Sequence, residues 1–151
     1  MKKSINVVIC ILIFTFHFSL FTSAFAQCTS DAFLDKCASS LGEFTFIKSF
    51  NITIDKKSSD SKYEYSYVFS KGSTYKIIIC DENINGNKMI VTLFDRNHKL
   101  IATNFNKASK KFYPLFSYPC SATGVYYLEV TFENGKEGCG VNILGFSKQF
   151  N

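Results

Sequence analysis

The chain has 151 residues, a formal net charge of +5 and an unusually large share of aromatic residues, 17%. This length is enough for one domain with a substantial apolar core. The basic residues form no stripe of the kind that nucleic-acid-binding proteins show, so that class is excluded. The two densest basic runs, Lys56-Lys57 and Lys107 to Lys111, are predicted to be solvated loops.

The first 26 residues have the layout of a secretory signal peptide. Two lysines give a positive start, and residues 7–21 are almost wholly apolar. Ala24 and Ala26 then supply the small side chains that a signal peptidase recognises. We therefore expect cleavage after Ala26 and a single mature domain over 27–151. That domain is expected to be secreted or periplasmic and to retain no transmembrane segment.

Two alternatives to a cleaved signal were weighed. A permanent membrane helix needs about 20 apolar residues, which is more than residues 7–21 offer. A lipoprotein would carry its lipid on Cys28 and stay at a membrane. Gln27 and Phe25 are atypical of the residues that precede such a cysteine, so anchoring through Cys28 is the less favoured alternative.

One segment near the start of the mature chain has the spacing of an amphipathic helix. Apolar residues from Phe33 to Leu41 recur at intervals of three and four, so they share one face. Ser30 is a suitable N-cap and Gly42 a natural stop. The sequence predicts one short helix over 30–41.

After Gly42 the apolar residues recur with a period of two, which is typical of half-buried strands. The turns between these strands are too short for parallel crossovers, so we expect antiparallel pairing. Many short antiparallel strands indicate an all-β sandwich or barrel. The eight predicted strands are Phe46–Asp55, Tyr63–Ser70, Thr74–Asp81, Lys88–Asp95, Lys99–Phe105, Lys111–Pro119, Gly124–Phe132 and Cys139–Phe146.

Three motifs within residues 63–146 resemble the bacterial pre-peptidase C-terminal domain family. Tyr67–Ile77 is similar to the first hairpin of that family. Met89–Asp95 with Lys99–Ala102 is similar to its middle unit, in which an Asp turn joins two apolar strands. Ser121–Val130 is similar to its strand with a Gly and a Tyr-Tyr pair. The resemblance implies a jelly-roll-like β-sandwich that serves as an accessory module, often of secreted peptidases.

Metal binding is not favoured by the acidic residues or the cysteines. Some members of the resembled family bind calcium, which takes 6–8 oxygen ligands. Here Asp81 and Glu82 are adjacent and Asp95 stands alone. A zinc site needs close cysteine pairs such as C-x-x-C, and the sequence has none. We expect neither a metal nor a cofactor.

Five cysteines follow the predicted cleavage site, so export predicts disulfides and at least one unpaired thiol. In a jelly-roll order the third and eighth strands are antiparallel neighbours, which predicts a Cys80–Cys139 bond. Cys120 ends the sixth strand at the opposite edge of the sheet, where the helix leads into the first strand. A Cys37–Cys120 bond is predicted there, with Cys28–Cys120 as the alternative. Cys28 is then the unpaired cysteine.

The mature chain offers little for catalysis. A nucleophilic cysteine or serine needs a base beside it, and the one histidine after the signal is His98, in a short turn. The sequence contains neither a G-x-S-x-G nucleophile motif nor a phosphate-binding glycine loop before a helix. We predict that the domain is not an enzyme.

Two functions suit a non-catalytic exported sandwich. The first is a module that binds an extracellular or envelope protein or a glycan, with Tyr113, Phe116 and Tyr118 as candidate ligand-face aromatics. Aromatic residues in strands are also the ones that pack in cores, which is the alternative role for these three. The second function is a structural or assembly component of the cell envelope, joined to its partner through an edge strand or Cys28.

Overall fold

The computed structural model describes residues 30–54, 62–81, 87–135 and 137–148, so the predicted signal peptide lies outside the described residues. The described chain begins with helix α1 (Ser30–Ala38) and a 3-10 turn (Ser39–Leu41). Together they correspond to the helix predicted over 30–41. The helical segments within these ranges are too short or too polar to pass through a lipid bilayer.

Within the described residues, ten strands follow the helix, and every pairing between them is antiparallel. Eight of them form two four-stranded sheets, and the two shortest form a separate hairpin. Their bounds are β1 (Thr45–Ile54), β2 (Lys62–Phe69), β3 (Ser73–Asp81), β4 (Met89–Phe94), β5 (Leu100–Thr103), β6 (Phe105–Asn106), β7 (Lys111–Phe112), β8 (Leu115–Pro119), β9 (Gly124–Phe132) and β10 (Gly138–Lys148).

The two large sheets form a β-sandwich with jelly-roll strand order. Sheet A runs β1-β10-β3-β8 and sheet B runs β2-β9-β4-β5. The third and eighth predicted strands, which are β3 and β10, are neighbours as the sequence predicts. The predicted fold class, an antiparallel β-sandwich with one short N-terminal helix, is therefore confirmed.

The predicted strands differ most from the observed ones around Asn104. The Asn104 amide is buried and joins the segment after β5 to β4 and to the segment between β7 and β8. Its Oδ1 accepts from the Val91 N–H (2.8 Å), while its Nδ2 donates to the carbonyls of Met89 (3.0 Å) and Tyr113 (3.2 Å). The predicted fifth strand therefore ends early, as β5. The predicted sixth strand divides into β7 and β8 around Pro114, which has no N–H for a ladder.

The main core lies between the sheets, and a second apolar cluster lies between α1 and the outer face of sheet A. The second cluster exists because β3 and β10 carry apolar residues at consecutive positions, so both faces of these strands are buried. The largest fully buried side chains of the main core are Phe69, Ile77, Met89, Leu93, Leu128 and Leu144; the second cluster contains Leu41, Ile78, Cys80, Val141 and Ile143.

A disulfide bond ties α1 to sheet A. Cys37 is bonded to Cys80, and their Cα atoms are 6.4 Å apart. The predicted Cys80–Cys139 and Cys37–Cys120 bonds are therefore wrong. Cys80 lies opposite Val141 in the β3–β10 register and faces the helix rather than Cys139. Cys120 belongs to the main core, on the other side of sheet A from the helix, and is a free thiol.

Cys139 is also disulfide-bonded. Its partner is none of Cys37, Cys80 and Cys120, because the first two are bonded to each other and the third is free. Cys28, the predicted unpaired cysteine, lies outside the described residues.

Candidate functional site

The outer face of sheet B, called the open face below, is uncovered within the described residues. Its strands alternate between buried core residues and outward residues; on β4, for example, Met89, Val91 and Leu93 are buried while their neighbours are only partly so. The outward residues are Glu64, Ser66 and Val68 on β2, Val125, Tyr127, Glu129 and Thr131 on β9, Ile90, Thr92 and Phe94 on β4, and Leu100 and Thr103 on β5.

One end of the open face carries an apolar patch, formed by Val68, Val125, Tyr127, Phe94 and Leu100. Val68 lies opposite Val125, Tyr127 opposite Phe94, and Phe94 opposite Leu100, so the five residues are neighbours across four strands. Val68 is 58% exposed, Leu100 57% and Val125 39%. Large aliphatic side chains this exposed contribute little to folding.

His98 covers part of this patch. Its ring stacks on Tyr127 with the centroids 4.3 Å apart, and its Nδ1 lies 3.9 Å from a Glu64 carboxylate oxygen. It therefore lies on the outer side of sheet B, whereas the Cys120 thiol lies in the core between the sheets. This arrangement does not place the histidine as a base for the thiol.

The turn 95–99 between β4 and β5 borders the patch and is organised by Asp95. Its Oδ1 accepts hydrogen bonds from the backbone N–H groups of Asn97 (2.8 Å) and Lys99 (2.9 Å). The Lys99 N–H bond, chiefly, lowers the pKa of the Asp95 carboxyl. His98 adopts a left-handed φ of 54° inside this turn. One oxygen of the carboxylate therefore holds the turn together.

A cavity of about 550 Å³, called the end cavity below, lies between this turn and the β8–β9 loop. Its polar lining residues include Asp95, Arg96 and Lys99 from the turn and Thr123 from the loop. Leu100 and Val125 belong both to this lining and to the apolar patch. The end cavity and the patch therefore form one continuous surface.

Two tyrosines lie at the inner side of the end cavity. The Tyr126 hydroxyl donates to the Ala122 carbonyl (2.8 Å) and lies 3.3 Å from the Tyr118 hydroxyl. Burial, above all, raises the pKa of Tyr126, so its hydroxyl stays protonated. The Cys120 thiol donates to the same Ala122 carbonyl (3.1 Å). These contacts hold the β8–β9 loop in place and leave the thiol without a basic neighbour among its hydrogen-bond partners.

Two cations, Arg96 and Lys99, and one carboxylate, Asp95, lie at the end cavity. Within the described part of the chain, neither Arg96 nor Lys99 forms an ion pair; the ion pairs found there are Lys62 with Glu129 and His98 with Glu64. Asp95 is adjacent and its carboxylate attracts both cations, but it offsets only one of their two charges. The mouth of the cavity is therefore electropositive.

The structure does not bring the predicted ligand-face aromatics to one exposed surface. Phe116 and Tyr118 point into the sandwich and pack against the main core. Tyr113 is 41% exposed and lies by a second, smaller cavity of about 250 Å³ at the opposite end of the sandwich. The Lys111 ammonium lies 5.1 Å from the centre of its ring.

The acidic residues considered for calcium are not gathered together. Asp81 accepts a hydrogen bond from the Met89 N–H (2.6 Å) at the opposite end of the sandwich from Asp95, and Glu82 lies outside the described residues. Across the described ranges, no group of three or more His, Cys, Asp or Glu side chains is placed to hold a metal ion.

The chain was compared with protein families, curated proteins and solved structures, and similar proteins were found among the solved structures. No protein-family model and no curated protein matches the chain. Among solved structures, the chain is similar to a periplasmic inhibitor of g-type lysozyme, PliG of Aeromonas hydrophila (TM-score 0.48, 12% identity, 70% of this chain and 89% of that one). It is also similar to the pre-peptidase C-terminal domain of a Bacillus anthracis collagenase (TM-score 0.45, 16% identity, 66% and 88%).

The second of these structures belongs to the family that residues 63–146 resemble in sequence. The resemblance is one of fold. Neither neighbour transfers a partner or an activity to this chain.

Proposed function

We propose that this domain is a non-catalytic module that acts outside the cytoplasm and binds a partner protein through the open face of sheet B. The observation that carries the proposal is the apolar patch. Contiguous exposed apolar side chains with a polar border are a feature of interaction surfaces. The cluster under α1 shows that this chain covers an apolar sheet face when folding requires it.

The location outside the cytoplasm is supported by two independent features. The Cys37–Cys80 disulfide is of a kind that persists in oxidising compartments and is rare in the cytosol. The predicted signal peptide over residues 1–26 gives the route to such a compartment.

The geometry favours a protein over a glycan as the partner. Sugar-binding surfaces need an exposed ring face on which the sugar can stack. On the open face the ring of Tyr127 is stacked against His98, and two of the three candidate aromatics, Phe116 and Tyr118, pack in the core. What is exposed is aliphatic, at Val68, Leu100 and Val125.

The cations beside the patch define the chemistry of the partner. Arg96 and Lys99 border the patch, and the adjacent Asp95 carboxylate offsets only one of their two charges. Complementary charge speeds encounter and selects the partner. We therefore propose that the partner is a different protein, not a second copy of this chain. Its binding surface is expected to be apolar and bordered by acidic residues.

The test has two steps. A photo-crosslinking residue placed at Val125 first captures the partner protein. Binding of the purified partner to variants of the domain is then measured. Leu100→Lys should weaken binding of that protein at least about tenfold, because it places a charge in the buried part of the interface. The matched control is Phe46→Lys, since Phe46 is similarly exposed (51%) but lies on β1 of sheet A.

Three outcomes contradict the proposal. The first is equal binding by the Leu100→Lys and Phe46→Lys variants. The second is a crosslink between two copies of this chain, with a dimer that Leu100→Lys dissociates. The third is saturable glycan binding that Leu100→Lys abolishes in the absence of any protein partner.

A further inference from the structure

We infer that the end cavity is a recognition pocket for a carboxylate side chain, Asp or Glu, that the partner protein inserts when it covers the apolar patch. This inference rests on the proposed function and deepens it, because it names the group that the pocket selects. Three features of the described residues support it.

The first feature is an excess of positive charge. Arg96 and Lys99 line the pocket, and within the described residues no acidic side chain pairs with either of them. Asp95 also lines the pocket and its carboxylate attracts both cations, but it offsets only one of their two charges. An arginine guanidinium binds a carboxylate through two parallel hydrogen bonds, which makes it selective for that group.

The second feature is the position of the hydroxyl and apolar groups. Thr123 accepts a hydrogen bond from the Lys71 N–H (2.9 Å), so its own hydroxyl proton is available for a ligand oxygen. Leu100 and Ile101 form an apolar wall on the other side. This combination suits a side chain with a short apolar stem and an anionic end.

The third feature is continuity. Leu100 and Val125 belong to both the pocket and the apolar patch. A protein that covers the patch must therefore present a residue at the mouth of the pocket. The pocket volume of about 550 Å³ holds more than one side chain, so the backbone next to the acidic residue enters as well.

The test is a nitrogen-15 NMR titration of the mature domain with two blocked tripeptides, acetyl-Leu-Glu-Leu-amide and acetyl-Leu-Gln-Leu-amide. The Glu peptide should give saturable shifts of the backbone amides in the two ranges that border the pocket, 96–99 and 121–125. It should bind at least about fivefold more tightly than the Gln peptide, which removes the charge and keeps the shape. Arg96→Gln should abolish this preference.

The matched control is Lys107→Gln, which removes one positive charge from an exposed hairpin at the other end of the sandwich. It should leave the preference for the Glu peptide unchanged. A dispersed spectrum of each variant shows that it is folded.

Four results overturn the inference. They are equal binding of the two peptides, no saturation below about 10 mM, shifts centred on 107–111 instead of the pocket, and tighter binding of glucuronate, an anionic sugar, than of the Glu peptide.

Binding of the captured partner separates the two proposals. If Arg96→Gln has no effect on it while Leu100→Lys weakens it, the pocket is wrong and the open face stands. If Leu100→Lys has no effect, the proposed function itself fails.

Discussion

The outer faces of the two sheets differ in what lies over them. On sheet A the outward side chains of β3 and β10 are apolar, at Ile78, Cys80, Val141 and Ile143, and α1 covers them. On sheet B the open face is mostly polar, and its apolar residues gather at one end, beside the end cavity. The difference separates the apolar surface that folding buries from the apolar surface that, in our proposal, a partner covers.

The largest expected effect comes from shortening a side chain under the helix. Ile143 is fully buried between α1 and sheet A. Ile143→Ala should therefore lower the free energy of unfolding by about 2–5 kcal/mol through lost burial and the cavity left behind. Val125→Ala, on the open face, should change it by less than about 1 kcal/mol. Urea unfolding with the disulfides intact measures both, and equal losses would remove the distinction between the faces.

Removal of the helix disulfide should have the next largest effect. The Cys37–Cys80 bond closes a loop with a sequence separation of 43. Cys37→Ala with Cys80→Ala should lower the free energy of unfolding by about 2–4 kcal/mol, because the unfolded chain gains freedom. Hydrogen exchange should rise in α1 and stay unchanged in β9, which lies in sheet B. Faster exchange in β9 as well would show that the two faces are not independent.

Peptide mapping under non-reducing conditions tests the cysteine assignments themselves. Cys37 should be found linked to Cys80, and Cys120 should react with alkylating agent only after unfolding, since it is buried. Cys139 should also be found in a disulfide-linked peptide, since it is bonded in the structure. A Cys80–Cys139 peptide would contradict the assignment of Cys80 to the helix-covered face.

The smallest expected effect is a pH dependence at the border of the open face. Hydrogen bonds from the turn, above all from the Lys99 N–H, lower the pKa of Asp95 below its ordinary value of 3.8. A carboxyl whose pKa is lower in the folded state stabilises that state at neutral pH. This contribution is lost as the pH falls below 3.8 and through the folded-state pKa.

A carbon-13 NMR titration of the carboxyl groups measures this pKa directly. Asp95→Asn should also speed amide exchange at Asn97 and Lys99, whose N–H groups the carboxylate holds. An Asp95 midpoint at or above 3.8 would contradict the organisation of the turn.

The sequence predicts most of the fold because its local patterns are strong. The period of two along β9 and β4 marks strands with one buried face, and these strands were located nearly to the residue. The early end of the predicted fifth strand at Asn104 could not be predicted. The Asn104 side chain makes the hydrogen bonds to β4 that a strand backbone would make. In the sequence, such an asparagine looks the same as an ordinary loop asparagine.

The disulfide was predictable in principle and was missed. Ile77 to Cys80 is a run of apolar residues, which indicates a strand buried on both faces. The predicted amphipathic helix, with Cys37 on its apolar face, was the element available to cover the second face. Strand order alone placed Cys80 near the correct neighbour, β10, but did not show which face its side chain occupies.

The candidate site was predicted less well than the fold. Phe116 and Tyr118 alternate with more exposed residues along β8 and so face the core. The apolar patch and the end cavity bring together residues from four strands and two loops, and no single stretch of sequence reveals such a surface. Lys99 is predicted only as the first residue of the fifth strand, because a pocket between two loops can be recognised only in three dimensions.

Carbene footprinting of the mature domain, alone and with the captured partner protein, tests the central claim most directly. In the free domain, Val68 and Leu100 should be labelled strongly, while Val141 and Ile143 stay unlabelled. Adding the partner should suppress the labelling of Val68 and Leu100 and leave Phe46 labelled as before. Unchanged labelling of Val68 and Leu100 in the complex, or loss of label at Phe46 instead, would contradict the assignment of the open face as the binding surface.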